Sequence, residues 1–215
     1  MTRILVIVGT PIADSFNHAL AESYASAASS AGAEVRVIDL ARDLVPGMPT
    51  ARGELRMPRP DHHDDASLPP EVAAYIDDVT WADHLVFFYP QWWGTYPAAL
   101  KSFIDRVFLS GFAFRYRPTG RLWDRLLTGR TARIVMTMDS PRLWNRLVYR
   151  NASETSLTRS TLGYCGVRPV GVTRLGEVRH TSLSTREGWL QQMARLGERD
   201  AAARVRRRPP VPALA

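Results

Sequence analysis

The chain has 215 residues, of which 45% are apolar and 23% charged, a composition typical of a globular α/β protein that buries a large core without disulfides or metals. Its single cysteine, Cys165, excludes an intrachain disulfide and is expected to be a small buried apolar side chain. The apolar runs are too short for a membrane helix or a signal peptide, so we expect a cytoplasmic protein without membrane insertion.

The net charge of +7 raises the hypothesis of nucleic-acid binding. Four of these charges are arginines in the last twelve residues, RVRRRPPVPALA, which leaves +3 for the remaining 203 residues. All basic residues except Lys101 are arginine, which indicates a bias of genome composition rather than a binding face. We therefore predict a basic, disordered tail over residues 204–215 and do not expect nucleic acid to be the partner.

The first forty residues predict a strand, a helix and a second strand. Residues 3–8 (RILVIV) form a continuous β-branched run, typical of a strand buried on both faces. Residues 13–34 carry an apolar stripe at helical spacing, with a plausible N-cap at the start and Gly32 near the end. Residues 34–40 alternate apolar and polar residues, as an outer strand does. This strand–helix–strand unit predicts a parallel sheet.

Residues 41–70 break the pattern, because they hold six prolines and little periodicity. We predict a long excursion with only short helical pieces, which in a compact domain is usually functional or mobile. Within it, His62, His63, Asp64 and Asp65 could contribute metal ligands. No second cluster with ligand spacing accompanies them, so we expect a solvated loop and no bound metal.

The rest of the chain continues to alternate helices and strands. We predict helices over 70–82, from Pro97 onward, over 154–166 and over 184–208, strands over 83–90, 131–138 and 168–178, a short extended connector with a helical turn over 111–130, and a loop with some helix over 140–151. Five strands in this alternation predict a doubly wound five-stranded parallel sheet of the α/β class in a single domain over residues 1–203. Ligands of that architecture bind at the carboxyl ends of the strands.

The loop after the first strand, GTPIADSFN, contains neither a G-x-G-x-x-G turn nor a P-loop. It does place Thr10, Ser15 and Asn17 at a helix N-terminus. Free N–H groups and the partial positive charge of that helix end would suit a phosphate. Helix capping alone would explain Ser15 equally well.

The loop after the third strand, PQWWGTYP, carries two adjacent indoles. At the mouth of a sheet, Trp92 and Trp93 can form a flat surface for an aromatic ligand. The main-chain N–H groups of residues 91–94 could face the polar edge of that ligand. Packing in the core or in a dimer interface is the alternative explanation, at least for one of the two indoles.

Groups that would identify other chemistry are missing from the sequence. There is no G-x-S-x-G nucleophile elbow and no pair of carboxylates at the strand ends. Lys101 is more simply explained by pairing with Asp105 one helical turn away than by Schiff-base chemistry. A phosphate site and an aromatic surface without an obvious acid, base or nucleophile indicate that a cofactor carries the reaction.

The segment YPQWWGTYPAALKSFIDRVFLSGFAF resembles the signature of the flavodoxin-like NAD(P)H:quinone oxidoreductase family, and DSFNHAL, LGYCGVRPV and REGWLQQMARL are similar to further segments of that family. The resemblance implies a flavodoxin-like fold with three α/β/α layers, FMN or FAD bound non-covalently near a homodimer interface, and NAD(P)H as the electron donor. It further implies hydride transfer through the flavin to a quinone or a similar acceptor, which we predict to follow a ping-pong cycle.

The resemblance also assigns candidate binding residues by position. Ser15, Phe16 and Asn17 would hold the phosphate side of the flavin. The isoalloxazine ring would lie along Pro90, Gln91, Trp92 and Trp93, with Gly94 among the backbone donors.

Residues 137–140 correspond to the Thr-Thr-Gly-Gly loop of the family. Here the four residues are Thr137, Met138, Asp139 and Ser140, so side chains replace both glycines. The tyrosine and histidine with which the family assists proton transfer have no clear counterparts, and Trp144 or Tyr149 could occupy that space.

A second hypothesis is a regulatory or ancillary subunit that keeps the flavodoxin fold and binds flavin without significant turnover, as in the ancillary subunits of potassium efflux systems. The altered loop over residues 137–140 supports this alternative. The sequence alone leaves open FMN or FAD, NADH or NADPH, the natural acceptor and the role of residues 41–70.

Overall fold

The computed structural model of the chain describes residues 1–59 and 67–203. Its strands in chain order are β1 (Arg3–Val8), β2 (Glu34–Asp39), β3 (His84–Pro90), β4 (Phe114–Tyr116), β5 (Trp123–Arg125), β6 (Thr131–Thr137) and β7 (Arg168–Leu175). Its helices are α1 (Phe16–Ser30), α2 (Pro70–Trp81), α3 (Ala98–Val107), α4 (Arg142–Leu147), α5 (Ala152–Thr155), which continues as a π-helical segment over Ser156–Gly163, and α6 (Leu183–Ala201).

Five strands form one parallel sheet in the order β2-β1-β3-β6-β7. The chain starts near the middle, winds outward to β2 and then crosses to the other side, which is the doubly wound arrangement predicted from the sequence. β2 lies at an edge, which explains its alternation of apolar and polar residues. The continuous apolar runs of β1 and β3 are buried because these strands have a neighbour on each side and helices on both faces.

Two apolar clusters cover the faces of the sheet and confirm the predicted three layers. One cluster joins the sheet to α2 and α3, and the other joins it to α1 and α6. Cys165 is buried, as predicted. None of the helices in the described ranges is both long and apolar enough to span a membrane.

The segment over residues 111–130 differs from the prediction. The expected helical turn is an antiparallel hairpin of β4 and β5, in which Phe114 pairs with Arg125. The turn contains Pro118 and ends near Gly120, whose φ is +92°. Tyr164 decides the conformation, because Trp123 stacks on its ring with centroids 4.2 Å apart. That tertiary contact joins residues 41 positions apart and is invisible to local sequence patterns.

Other boundaries shift by a few residues. Of the two N-cap candidates in the sequence, Asp14 and Ser15, the structure has Ser15, so α1 begins at Phe16; Asp14 has a positive φ of 54°. Residues 41–59 contain a single short helical turn, Arg52–Leu55, in agreement with the predicted excursion. The histidine–aspartate run over 62–65 and the predicted tail over 204–215 lie outside the described residues.

Helices α1 and α6 pack unusually closely, and a glycine permits it. A Cβ on Gly197 would lie 2.3 Å from the carbonyl oxygen of Tyr24 and 3.1 Å from the amide nitrogen of Ala28. The Tyr24 hydroxyl donates to Asp200 Oδ2 across the same interface, at 2.9 Å. Close approach of the two helices therefore depends on the missing side chain.

We expect Gly197→Ala to destabilise the fold by about 1–3 kcal/mol, because the added methyl group forces the two helices apart. Gly188→Ala is the matched control, since Gly188 lies in the same helix and an added Cβ there would meet no atom within 4 Å apart from its chain neighbours and the backbone of its own helix. It should stabilise by about 0.5–1 kcal/mol through helix propensity. Urea unfolding of both variants is the measurement, and equal effects would contradict the close-packing argument.

Candidate functional site

Three loops meet at the carboxyl edge of the sheet. β1, β3 and β6 are neighbours in register, with Val8 opposite Phe88 and Pro90 opposite Thr137. The Gly9 amide donates to the Phe88 carbonyl at 2.7 Å, where the first two strands end. The loops predicted from sequence to form one site therefore follow adjacent strands at one edge.

The first loop ends at the N-terminus of α1, a helix of fifteen residues. Ser15 is its N-cap residue, and the N–H groups of Phe16 and Asn17 make no hydrogen bond with any described residue. Thr10 is buried and its hydroxyl accepts from the amide of Ile12 at 3.3 Å, which shapes the turn. Two free donors at a helix N-terminus fit a phosphate group.

His18 organises this loop, a role that was not predicted from the sequence. The Ser15 amide donates to His18 Nδ1 at 3.3 Å, so this nitrogen is an acceptor and the ring proton lies on Nε2. Nε2 lies 3.0 Å from Asp39 Oδ1, at the end of β2. Arg42 pairs with both Asp39 and Asp14, at 2.5 Å each. The spacing Ser-x-x-His at a helix start was the available sequence signal.

Asp39 is the anionic end of this arrangement. Burial alone would raise its pKa, but hydrogen bonds from the Ala41 amide, Arg42 and His18 outweigh burial. The pKa of Asp39 is therefore lower than its ordinary value, and the carboxylate stays charged beside the histidine.

The first and third loops are joined by two buried side chains. The Asn17 amide donates to Thr137 Oγ1 at 3.0 Å. This bond occupies the side chain of a predicted binding residue, so Asn17 offers a ligand only its backbone N–H and otherwise positions the loop.

Met138, one of the predicted binding residues, is engaged within the protein. Its side chain belongs to the apolar core, its amide donates to the Leu175 carbonyl, and its own carbonyl accepts from Val178. Both backbone groups and the side chain are thus engaged inside the protein. The Asp139 side chain is also engaged, because its Oδ1 accepts a hydrogen bond from the backbone amide of Arg179 at 3.1 Å.

The second loop makes a tight turn in which Trp92 and Thr95 exchange both backbone hydrogen bonds, each 2.9 Å long. The two central residues, Trp93 and Gly94, have φ of +50° and +73°, as a type I′ turn requires. The Trp93 indole is fully exposed and that of Trp92 is 38% exposed. The turn presents a flat apolar surface at the sheet edge instead of burying it.

The backbone donors of this loop are fewer than predicted. The Gln91 amide donates to the Thr137 carbonyl at 2.7 Å, and the Trp92 amide is used in the turn. Only the N–H groups of Trp93 and Gly94 lack a partner among the described residues. These two amides, rather than four, are available to the polar edge of a ligand.

Of the two aromatic candidates beyond β6, the structure brings Tyr149 to the loop. Its ring lies 3.4 Å from the position that a Cβ on Gly94 would take. Trp144 lies on α4 with half of its surface exposed. Tyr149 therefore packs directly on the tryptophan turn, whereas Trp144 contributes to the exposed face of α4.

A network of hydrogen-bonded polar side chains, buried at its centre and not predicted from the sequence, runs from Gln91 to Arg174 in β7. Arg174 pairs with the Glu154 carboxylate at 2.6 Å, and Glu154 accepts from Asn145 Nδ2 at 3.3 Å. A carboxylate only accepts, so Asn145 must turn its carbonyl toward Gln91 Nε2, at 2.6 Å. The Gln91 carbonyl then faces the Ser140 hydroxyl at 3.4 Å. The charge at Glu154 thus orients both amides.

Several reactive side chains lie outside this chemistry. Lys101 pairs with Asp105 at 2.5 Å, as predicted. Burial raises the pKa of Cys165 to about 12, which makes its thiol a poor nucleophile. No group of three metal-ligating residues occurs in the described part of the chain.

The profile of a protein family described as having a flavodoxin-like fold matches residues 2–198. The chain belongs to this flavodoxin-like family. The match confirms the resemblance inferred from residues 89–114 and the predicted fold class.

Individual relatives agree with the family. The crystal structure of Smu.1420 from Streptococcus mutans UA159 superposes with a TM-score of 0.75 at 30% identity and covers 92% of this chain and 100% of that one. An FMN-dependent NADH:quinone oxidoreductase from Bordetella avium is 27% identical over 77% of this chain and 80% of its own. NAD(P)H dehydrogenase [quinone] 1 of Cavia porcellus is 31% identical over 54% of this chain. This chain spans about half the length of several of the curated relatives that it matches, for example 46% of the Cavia porcellus protein.

The hydrogen bond between Gln91 and Asn145 predicts that the contributions of these two side chains to stability are coupled. Replacing either with Ala should destabilise the protein, and the double variant should lose about 0.5–1.5 kcal/mol less than the sum of the two. Gln91→Ala combined with Ser23→Ala in the α1–α6 interface is the control and should be additive. Urea unfolding of the five variants is the measurement. Additivity of Gln91 with Asn145 would contradict the described hydrogen bond.

Proposed function

We propose that this protein is an FMN-dependent oxidoreductase that transfers a hydride from NAD(P)H through the flavin to quinones or similar acceptors. The observation that carries the proposal is the pairing of two free amides at the start of α1 with the exposed tryptophan turn at the same sheet edge. The amides at the start of α1 suit a phosphate, and the tryptophan turn suits a flat aromatic ring.

The proposed cofactor is FMN rather than FAD. The described residues that fit it are the Phe16 and Asn17 amides for its phosphate and the Trp93 and Gly94 amides for the polar edge of its ring. The relative from Bordetella avium is named as FMN-dependent, and its donor as NADH. Of the predicted binding residues, Ser15, Pro90, Gln91 and Thr137 would shape the site rather than supply free donors.

In this mechanism the bound flavin supplies the hydride chemistry, and the chain supplies position and charge. The free amides beyond Trp92 would stabilise negative charge at the polar edge of the ring. The hydrogen-bonded side chains of Asn145 and Glu154 behind Gln91 keep the loop after β3 from reorganising. We further propose that the nicotinamide leaves before the acceptor enters, so that both use the surface beside the two indoles.

We also propose a homodimer whose interface adjoins the flavin. Its support is a group of large apolar side chains exposed on or beside the tryptophan turn and α4, namely Trp92, Trp93, Leu143, Trp144, Leu147, Val148 and Tyr149. A partner covering this surface would remove it from water. Light scattering decides the matter, since a monomer at micromolar concentration would contradict the proposal. The single domain over 1–203 and the cytoplasmic location stay predictions.

The free amide of residue 16 allows a sharp test of FMN binding. Phe16 is the first helical residue, where proline is well accepted, and the Ser15 ψ of 166° suits a following proline. Phe16→Pro deletes the N–H, and Phe16→Ala keeps it while removing the same ring from Trp189. We expect the proline variant to bind FMN about tenfold more weakly than the alanine variant, by fluorescence titration.

Riboflavin is the ligand control, because it carries the same ring without a phosphate. The two variants should bind riboflavin equally. An equal loss of FMN affinity in both variants, or a difference that persists with riboflavin, would show that the phosphate does not contact this helix end.

Kinetics test the reaction. Initial rates of NADH oxidation at several benzoquinone concentrations should give parallel double-reciprocal lines, because donor and acceptor occupy the site in turn. Intersecting lines would contradict the ping-pong order. Bound FMN without oxidation of either NADH or NADPH would instead favour the ancillary-subunit hypothesis, which the engaged Met138 and the glycine-free loop after β6 support.

A further inference from the structure

A cavity lies at the amino edge of the sheet, opposite the proposed flavin site. It has a volume of about 450 Å³ and is formed by the starts of β3, β6 and β7 and by the last turn of α6. Four of its lining side chains are arginines: Arg130, Arg133, Arg168 and Arg199. Parallel strands separate this cavity from the carboxyl-edge loops by the full length of the sheet.

The floor of the cavity is a buried ion pair. Arg133 donates to both oxygens of Asp200, at 2.5 and 2.8 Å, and His84 Nε2 lies 3.2 Å from the same carboxylate. Burial alone would raise the pKa of Asp200, but hydrogen bonding to Arg133 and His84 holds it well below its ordinary range. The Asp200 charge is therefore already balanced.

The backbone is shaped around this pair. The register between β6 and β7 shifts after Ala132, which leaves Val170 as an extra residue lining the cavity. A Cβ on Gly171 would lie 2.5 Å from Arg133 Nη1, so a side chain there would displace the guanidinium from its pair with Asp200. Such bulges are over-represented beside functional sites.

The remaining charges of the cavity are positive. The other lining carboxylate, Asp83, is paired with Arg3 outside the lining. Arg168 and Arg199 are exposed and make no ion pair with a described residue. The cavity therefore presents three guanidinium groups, those of Arg130, Arg168 and Arg199, that make no ion pair with a described carboxylate, although the nearby charge of Asp83 also acts on Arg130.

Arg130 gives the most specific indication. Its side chain is 2% exposed, and its Nε and Nη2 donate to the carbonyls of Val79, Ala82 and Thr80 at the end of α2. Its Nη1 is buried and has no hydrogen-bond partner in the described structure. Burial lowers the pKa of Arg130 to about 10, so the group stays charged at neutral pH. A buried, charged donor without an acceptor is costly and uncommon.

We propose that this cavity binds a small oxoanion, a phosphate or carboxylate compound, at a site distinct from the flavin site. Guanidinium groups bind such anions through paired N–H donors, and an oxoanion would supply the acceptor that Arg130 Nη1 lacks. The volume admits a ligand of a few carbon atoms. The proposal does not depend on the flavin function of the carboxyl edge.

The test uses the full-length protein with sodium phosphate and sodium citrate as probes, each against sodium chloride at equal ionic strength. Calorimetric titration should give saturable binding of at least one probe. The Arg168→Gln/Arg199→Gln variant should weaken it by about tenfold or more. The control Arg121→Gln/Arg159→Gln removes two charges from exposed positions that do not line the cavity and should bind as the wild type does.

The outcomes separate the sources of the anion. Binding of phosphate alone identifies a phosphate compound, binding of citrate alone a carboxylate, and binding of both a general oxoanion site. No saturable binding of either probe would overturn the proposal. Binding that survives in the Arg168→Gln/Arg199→Gln variant would also overturn it, because the anion would then be held elsewhere, for example at the start of α1.

Discussion

Three hydrogen bonds at Thr137 hold the proposed site together. The Thr137 hydroxyl exchanges hydrogen bonds with the Asn17 amide group, which belongs to the first loop, and the Thr137 carbonyl accepts from Gln91, which opens the second. Thr137 itself ends β6 and begins the third loop. A shift of one residue in the β3–β6 register would turn this hydroxyl to the other face of the sheet. The contacts that join the three loops therefore depend on the register that sets Pro90 opposite Thr137.

The two edges of the sheet carry opposite chemistry for one physical reason. Helices that cross over a parallel sheet run against the strands, so their N-termini lie at the carboxyl edge and their C-termini at the amino edge. The free amides of Phe16 and Asn17 are a consequence at the first edge. At the second edge, the carbonyls at the end of α2 attract Arg130, and arginine lines the cavity beside them.

The sequence predicted the five strands of the sheet and their doubly wound arrangement, because buried strands leave continuous apolar runs. It did not predict contacts between residues far apart in the chain. The β4–β5 hairpin depends on Tyr164, and the orientation of Gln91 depends on Glu154, 63 positions later. The sequence also did not predict which backbone amides of the tryptophan turn are free. This follows from the turn type and from the hydrogen bond of the Gln91 amide with Thr137.

The most direct test of the account is the absorption spectrum of the purified protein after addition of FMN and removal of the excess. We expect flavin absorption bands that stay with the protein, with FMN identified by mass after denaturation. A colourless protein that takes up neither FMN nor FAD would contradict it. The exposed indoles at the carboxyl edge would then serve a partner protein rather than a cofactor.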